Sequence, residues 1–549
     1  MKVFSKVAAL WRPKAPTAGQ LSESIPLSNL ADETHIITRA ENPTTQRYRL
    51  QERLPQADQV SGEVSPLNYA EATRWLHRTA AGGGAPKPAP APPPTEPASP
   101  GEYPPAIQDL VRAAEAGDPE AQHRLGLWYE RRSETPADAA LAAGWYTRAA
   151  EGGLAPAKVK LGFLLEKGLG VPHNLALAAT WYLRAADQDD ATAQVKIGVC
   201  YLEGQGVPPD FEAAVGWLLK AAEHGAAEGQ FRLGLCYQKG LGIPASHYEA
   251  GKWFRRAADQ EHAQAQYNLA LLYRQGLGVP KDLTQAAKWL QRAAEQDFAE
   301  AQYLLGQSFE KGVGLEDNPA AAATWYRRAA EQGLLKAKHE LGLLYLKGLG
   351  VAQDHREALR WFHAAAAEDL AGAQFSLALC YEEGKGVEPD AAQALSWVRK
   401  AAEHRHAGAA LKLGSYYLEG KLVVGDPAEA VRWIRRAAEQ GLAQAQHRLG
   451  ACYEAGTGLA PDDAEALKWY RRAAEQGYAQ AQEAVGRFSA QGRAVRQDFV
   501  EAYKWHNLAA AQGWAPASTQ REALLRQMSP DQIAEGQRRT ATFLPRKPA

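Results

Sequence analysis

Four cysteines and two methionines are all the sulfur in 549 residues, and a disulfide-built secreted scaffold would need many more cysteines at paired spacings. Charge of either sign is not in excess. Lysine and arginine number 62 against 63 aspartates and glutamates, a net of −1, so no global field draws the chain to nucleic acid or to an anionic membrane. No run of 18 or more apolar residues occurs, so stable membrane insertion by a helix is not expected. The N-terminal "MKVFSKVAALWRPK" carries lysines, but Lys6 breaks its apolar run and Arg12–Pro13 ends it, with no small-residue cleavage site after an apolar core. The chain is therefore expected to stay unexported and cytoplasmic, where a reducing environment suits its few thiols.

What the sequence has in abundance is repetition. "WYRRAAEQG" occurs at Trp325–Gly333 and again, word for word, at Trp469–Gly477. From Trp145 to Trp505, eleven of the fifteen tryptophans stand 36 residues apart without a break, so the nonapeptide is part of a structural unit. Around each tryptophan small and aromatic residues recur three and four apart, as in "EALKWYRRAAEQG", which is one face of a helix. Before it runs a second helical pattern, "AQAQYNLALLYRQG" at Ala263–Gly276 or "AQAQHRLGACYEAG" at Ala443–Gly456. G-x-G turns such as Gly168–Val171, Gly312–Leu315 and Gly456–Leu459 separate the two. Each unit thus reads as helix A, a glycine turn and helix B. No such pair can bury its apolar face alone, whereas stacked neighbours can.

The unit "AQAQHRLGACYEAGTGLAPDDAEALKWYRRAAEQG" resembles the Sel-one-like repeat (SLR) family, tetratricopeptide-like α-solenoids, over about residues 105 to 515. The resemblance implies an all-α fold, a right-handed superhelical α-solenoid of about eleven 36-residue helix-turn-helix repeats with a C-terminal capping helix. It also implies an adaptor or scaffold that binds proteins or peptides, with no activity and no cofactor. Two turns depart from the pattern: Arg131–Pro136 lacks the glycines, and "GKLVVGD" at Gly420–Asp426 keeps only the first of G-x-G, so remodelled turns are expected there.

The ends differ from the array. Residues 1–81 are expected to be mostly disordered, with short amphipathic helices at about 2–12 and 68–81, the second resembling a stray helix B around Trp75. A Pro/Ala-rich linker follows at 82–105, then the solenoid at 106–513, capping helices at 514–542 and a tail at 543–549. Ser529-Pro-Asp-Gln532 has the form of a capping box with proline at the first helical position. In the first segment Phe4, Val7, Leu10 and Trp11 would share one helix face, a candidate for docking in a groove or for weak contact with a membrane surface.

No catalytic residues, metal ligands or cofactor-binding residues can be assigned. The G-x-G turns follow a helix, with neither the preceding strand of a dinucleotide loop nor the lysine of a P-loop, and read as helix stops. Cys200, Cys236, Cys380 and Cys452 share one repeat position and read as small core residues. "EHRH" at Glu403–His406 reads as a solvated loop rather than a metal site. The arginines at Arg327 and Arg471 precede Glu331 and Glu475 by four residues, spacing that suits ion pairs on an exposed face.

A partner site is better sought where repeats differ. The residue two before the helix A leucine runs through Phe231, Tyr267, Tyr303, His339 and Phe375, and four residues on stand Leu235, Leu271, Gln307, Leu343 and Leu379. By analogy with tetratricopeptide repeats this stripe would line a groove for an unidentified protein or peptide. Packing against the next helix A is the equally weighted alternative. The reading is a non-enzymatic interaction scaffold that binds no nucleic acid, the alternative being a regulatory subunit or inhibitor of an enzyme.

Overall fold

Each repeat folds as two antiparallel helices held by caps that recur every 36 residues. In the computed structural model the described residues are 105–132 and 136–546, and all their regular structure is helical, 25 helices from Pro105–Glu115 to Pro530–Ala541. The N-terminal segment with Phe4, Val7, Leu10 and Trp11, and the stretch 68–81, lie outside them.

The repeat at 299–334 shows the logic. Helix A, Ala299–Lys311, ends where Gly312 turns left-handed (φ 62°) and its N–H closes on the Ser308 carbonyl. Helix B, Pro319–Glu331, starts at Asn318, whose side chain accepts the Ala321 N–H at 3.0 Å. The same place is taken by Asp210, Ser246, Asp282 and Asp354 in other repeats, each capping its helix B. Between the helices the Tyr326 ring lies so close to Gly306 that a Cβ there would stand 2.7 Å from it. Ala329 and Ala330 are buried on the same helix B. From Pro105–Glu115 to Ala515–Leu525 each helix packs on the next, so the described repeats form an α-solenoid whose core is shared between neighbours.

Repeats are joined by a glutamine relay. Buried Gln266 donates Nε2 to the Ala258 carbonyl at 3.1 Å and accepts from Gln296 of its own repeat's end at 2.9 Å. Gln302 does the same with Ala294 and Gln332, and Gln446 with Ala438 and Gln476. The glutamine of "AEQG" therefore satisfies an otherwise unpaired amide oxygen in the core. The arginines of the nonapeptide behave differently from the expected ladder of acid pairs. The second arginine lies over its own tryptophan, Arg328 at 4.9 Å from the Trp325 ring and Arg472 at 4.5 Å from Trp469. The first reaches a tyrosine of the next helix A, Arg327 to Tyr345 and Arg435 to Tyr453. Arg327 and Arg471 make no ion pair with Glu331 and Glu475, whereas Arg255, at the equivalent place in the repeat at 227–262, lies 4.0 Å from Asp259. A planar guanidinium gains more by stacking on an indole than from a screened surface pair.

The turn at Gly420–Asp426 is not remodelled in its backbone. Leu422 stands where other repeats have the second glycine and keeps the left-handed conformation (φ 64°), as does Ala494 (φ 58°), at a cost of about 1–2 kcal/mol each. Residues 133–135 of the other departing turn are outside the described residues. At the C-terminal end the Ser529–Gln532 capping box forms as expected. The helix it opens, Pro530–Ala541, packs on Phe499–Ala511 and helps close the Ala502, Tyr503, Leu524 and Met528 cluster.

Candidate functional site on the A helices

The stripe splits between core and surface. Phe231, Gln307, Leu343, Phe375 and Leu379 are buried. Phe375 is 0% exposed, packed on the His406 ring at 4.6 Å, and Phe231 stacks on His262 at 4.8 Å. These side chains offer a partner almost no surface; at Phe231 and Phe375 the last residue of the repeat, His262 or His406, folds over the ring. Leu235, Tyr267, Leu271, Tyr303 and His339 stay partly exposed. Tyr267 meets Phe298 edge-on at 5.2 Å, Tyr303 leans on Tyr326 at 5.7 Å, and His339 Nε2 lies 3.0 Å from Ser376 Oγ. Burial pushes His339 down to about 4, so its ring is neutral at pH 7.

The residues grouped as "EHRH" take structural roles. His406 is buried, and its Nδ1 accepts the Ala409 N–H to cap helix Ala407–Glu419. His404 Nδ1 lies 2.9 Å from Gln374 Oε1, in the place of the relay glutamine. All four cysteines are free and buried, and burial pushes the Cys236 thiol up to about 11. Among the described residues no three His, Cys, Asp or Glu side chains gather as metal ligands would.

A second column of helix A positions, unread in the sequence, carries the electrostatics. Counting Ala299 as the first residue of its helix, the twelfth residue of one repeat faces the sixth of the next. Glu130 meets Lys160 at 2.9 Å, Glu166 meets Lys196 at 3.4 Å and Glu382 meets Lys412 at 2.7 Å. Glu454 takes Arg487, about one turn beyond the sixth position, at 2.6 Å, and hydrogen bonding from Arg487 helps hold its carboxyl down at about 2. Three of these glutamates also accept a helix B tyrosine hydroxyl, such as Tyr182 to Glu166 at 2.8 Å and Tyr470 to Glu454 at 2.8 Å, whereas Glu382 meets Tyr416 of the next helix A. In the middle of the array this pairing stops. The facing pairs become Leu202 with Arg232, Gln238 with Asn268, Arg274 with Leu304, Glu310 with Glu340, and Leu346 with Ser376. Arg232 turns instead to Glu228 of its own helix, while Arg274, Glu310 and Glu340 make no ion pair among the described residues.

Glu340 records the consequence. Burial first, then the facing Glu310, raise its carboxyl to about 7, against a smaller opposing pull from Lys311 and Lys347. Burial first, and then both carboxylates, keep Tyr303 and Tyr326 protonated. The folded value lies above the ordinary 4.5, so the native state binds the extra proton between these limits. Stability contributed by protonated Glu340 is full below pH 4.5 and lost as pH rises to about 7. Partial exposure keeps the effect on the order of 2 kcal/mol or less. Urea unfolding of the Glu340→Gln variant should match the native chain at pH 4.5 and exceed it at pH 8. Equal stability at both values would remove the like-charge strain from the account.

A family model described as Sel1 repeat matches residues 60–84 and then the unbroken series from 119–154 to 479–514, twelve matches in all. The crystal structure of c5321, a protective antigen of uropathogenic Escherichia coli strains displaying an SLR fold, is 32% identical over 80% of this chain and 94% of its own, with a TM-score of 0.64. A Sel1 repeat protein from Oxalobacter formigenes is 29% identical over 66% of this chain and 98% of its own, with a TM-score of 0.45. No curated protein matches the chain.

Proposed function

The chain belongs to the Sel1 repeat family, and from that premise we propose that it is a non-enzymatic interaction scaffold that takes up a protein or peptide segment along the A helices of its middle repeats. One observation carries this reading. Across the five joints from Leu202/Arg232 to Leu346/Ser376 the Glu–Lys pairing seen on either side gives way, and the partly exposed Leu235, Tyr267, Leu271 and Tyr303 lie within that stretch. Outside this stretch Glu130, Glu166, Glu382 and Glu454 each take a base from the next repeat, with Leu418/Arg448 the exception; in this stretch five successive joints lack such a pair and leave apolar edges and unpaired charges, the ingredients of a recognition surface. The polar side chains that look chemical in the sequence serve as caps and relays, which supports the absence of catalysis. No helix among the described residues is long and apolar enough to cross a membrane, and four buried free thiols support a cytoplasmic setting.

The test compares proteins captured by the intact chain with those captured by a Tyr267→Ser, Tyr303→Ser double variant of unchanged helicity. The variant should lose a defined subset of them. Identical capture by both chains would place any binding elsewhere.

A further inference from the structure

At the joint between the repeats at 299–334 and 335–370 the chain itself supplies no cation of the kind that pairs Glu130, Glu166 and Glu382. At Glu130, Glu166 and Glu382 the twelfth-position carboxylate receives a lysine from the next repeat at 2.7–3.4 Å, and at Glu454 an arginine. Glu310 keeps the other half of that arrangement, its Oε2 accepting the Tyr326 hydroxyl at 2.7 Å. Where the lysine would come from, however, stands Glu340. Lys311 and Lys347 act on it only through space and pair with neither carboxylate. A separate sign comes from Gln307, one turn before Glu310 on the same face. It is 4% exposed and donates Nε2 to the Tyr303 hydroxyl at 2.9 Å, while its Oε1 is buried with no donor. The two carboxylates and the buried Gln307 carbonyl thus offer more acceptor positions than the Tyr326 and Tyr303 hydroxyls can fill. A lysine or arginine head would satisfy the acceptors and lie against the ring.

We propose that the Glu310–Glu340 joint seats a lysine or arginine side chain of an extended partner segment laid across the A helices, in the place that Lys160, Lys196 and Lys412 fill at other joints. The inference rests on the scaffold reading above and deepens it by naming the chemistry of the partner. An ammonium or guanidinium is favoured over a metal ion because those are the groups the equivalent glutamates bind within this molecule, and the site adds only one neutral carbonyl to its two carboxylates.

The test is selection of phage-displayed random dodecapeptides on the full chain and on its Glu340→Lys variant, which reinstates the charge pattern of the other joints and is checked for helicity by circular dichroism. The native chain should enrich peptides with a lysine or arginine at a shared position, and the variant should lose that preference. Replacing this residue by glutamine in the most enriched peptide should weaken binding to the native chain about tenfold, and binding to the variant hardly at all. Enriched peptides without a basic residue, or the same basic peptides on both chains, overturn the inference while leaving the scaffold reading standing. No enrichment on either chain overturns both. Calcium titration is the remaining arm: saturation below millimolar calcium that is abolished by Glu340→Lys would reassign the carboxylates to a metal and overturn the proposal.

Discussion

Replacing Gly206 by alanine should destabilise the array by about 2–5 kcal/mol, and the loss should centre on one joint. Gly206 is the second glycine of its G-x-G turn and has φ 73°. A Cβ there would stand 2.1 Å from the Leu175 carbonyl oxygen, at the start of the preceding repeat's helix B. The left-handed backbone alone costs an alanine about 1–2 kcal/mol, and forcing the two backbones apart adds about 1–3 kcal/mol. Gly225 provides the control, since its φ is also positive, 85°, but nothing lies within 4 Å of its Cβ direction. Gly225→Ala should therefore cost only the conformational part. The measurement is urea unfolding paired with hydrogen exchange, in which Gly206→Ala should release protection in Leu175–Ala186 and Ala191–Glu203. Equal costs at the two positions would show that the turn needs glycine for its backbone angle alone.

The second large effect is expected at Trp217, where alanine should cost about 3–5 kcal/mol. The ring is 2% exposed and lies in the same core cluster as Ala213, Ala214 and Ile197. Lys220 covers it, with Nζ 4.2 Å from the ring centroid. Truncation leaves a cavity between rigid helices that cannot collapse without opening a joint. Because each repeat contacts only its neighbours, the thermal transition should broaden or split rather than merely shift. Trp217→Phe should recover more than half of the loss by refilling most of the cavity. A Trp217→Ala transition as sharp and as high as that of the native chain would refute the assignment of this ring to the repeat core.

The period, the alternation of helices and the glycine turns were legible because they depend on local chemistry. A left-handed glycine ends helix A, an Asp, Asn or Ser seven residues before the tryptophan caps helix B, and the apolar face recurs at helical spacing. The Ser529 capping box was legible for the same reason. Contacts across a joint were not, since they join residues about thirty positions apart whose meeting is set by how one repeat is rotated on the next. Glu310 and Glu340 stand at the twelfth and sixth positions of successive A helices, with nothing local to link them. Only stacking shows that glutamate meets glutamate where Glu130 meets Lys160 and Glu382 meets Lys412. The stripe was undecided for a related reason, because an apolar period marks a face but not what covers it. His406 closes over Phe375, while Tyr267 and Tyr303 keep an exposed edge. Local sequence thus determined the repeat as a folding unit, and the packing of one repeat on the next decided which charges remain unpaired and which rings a partner can reach.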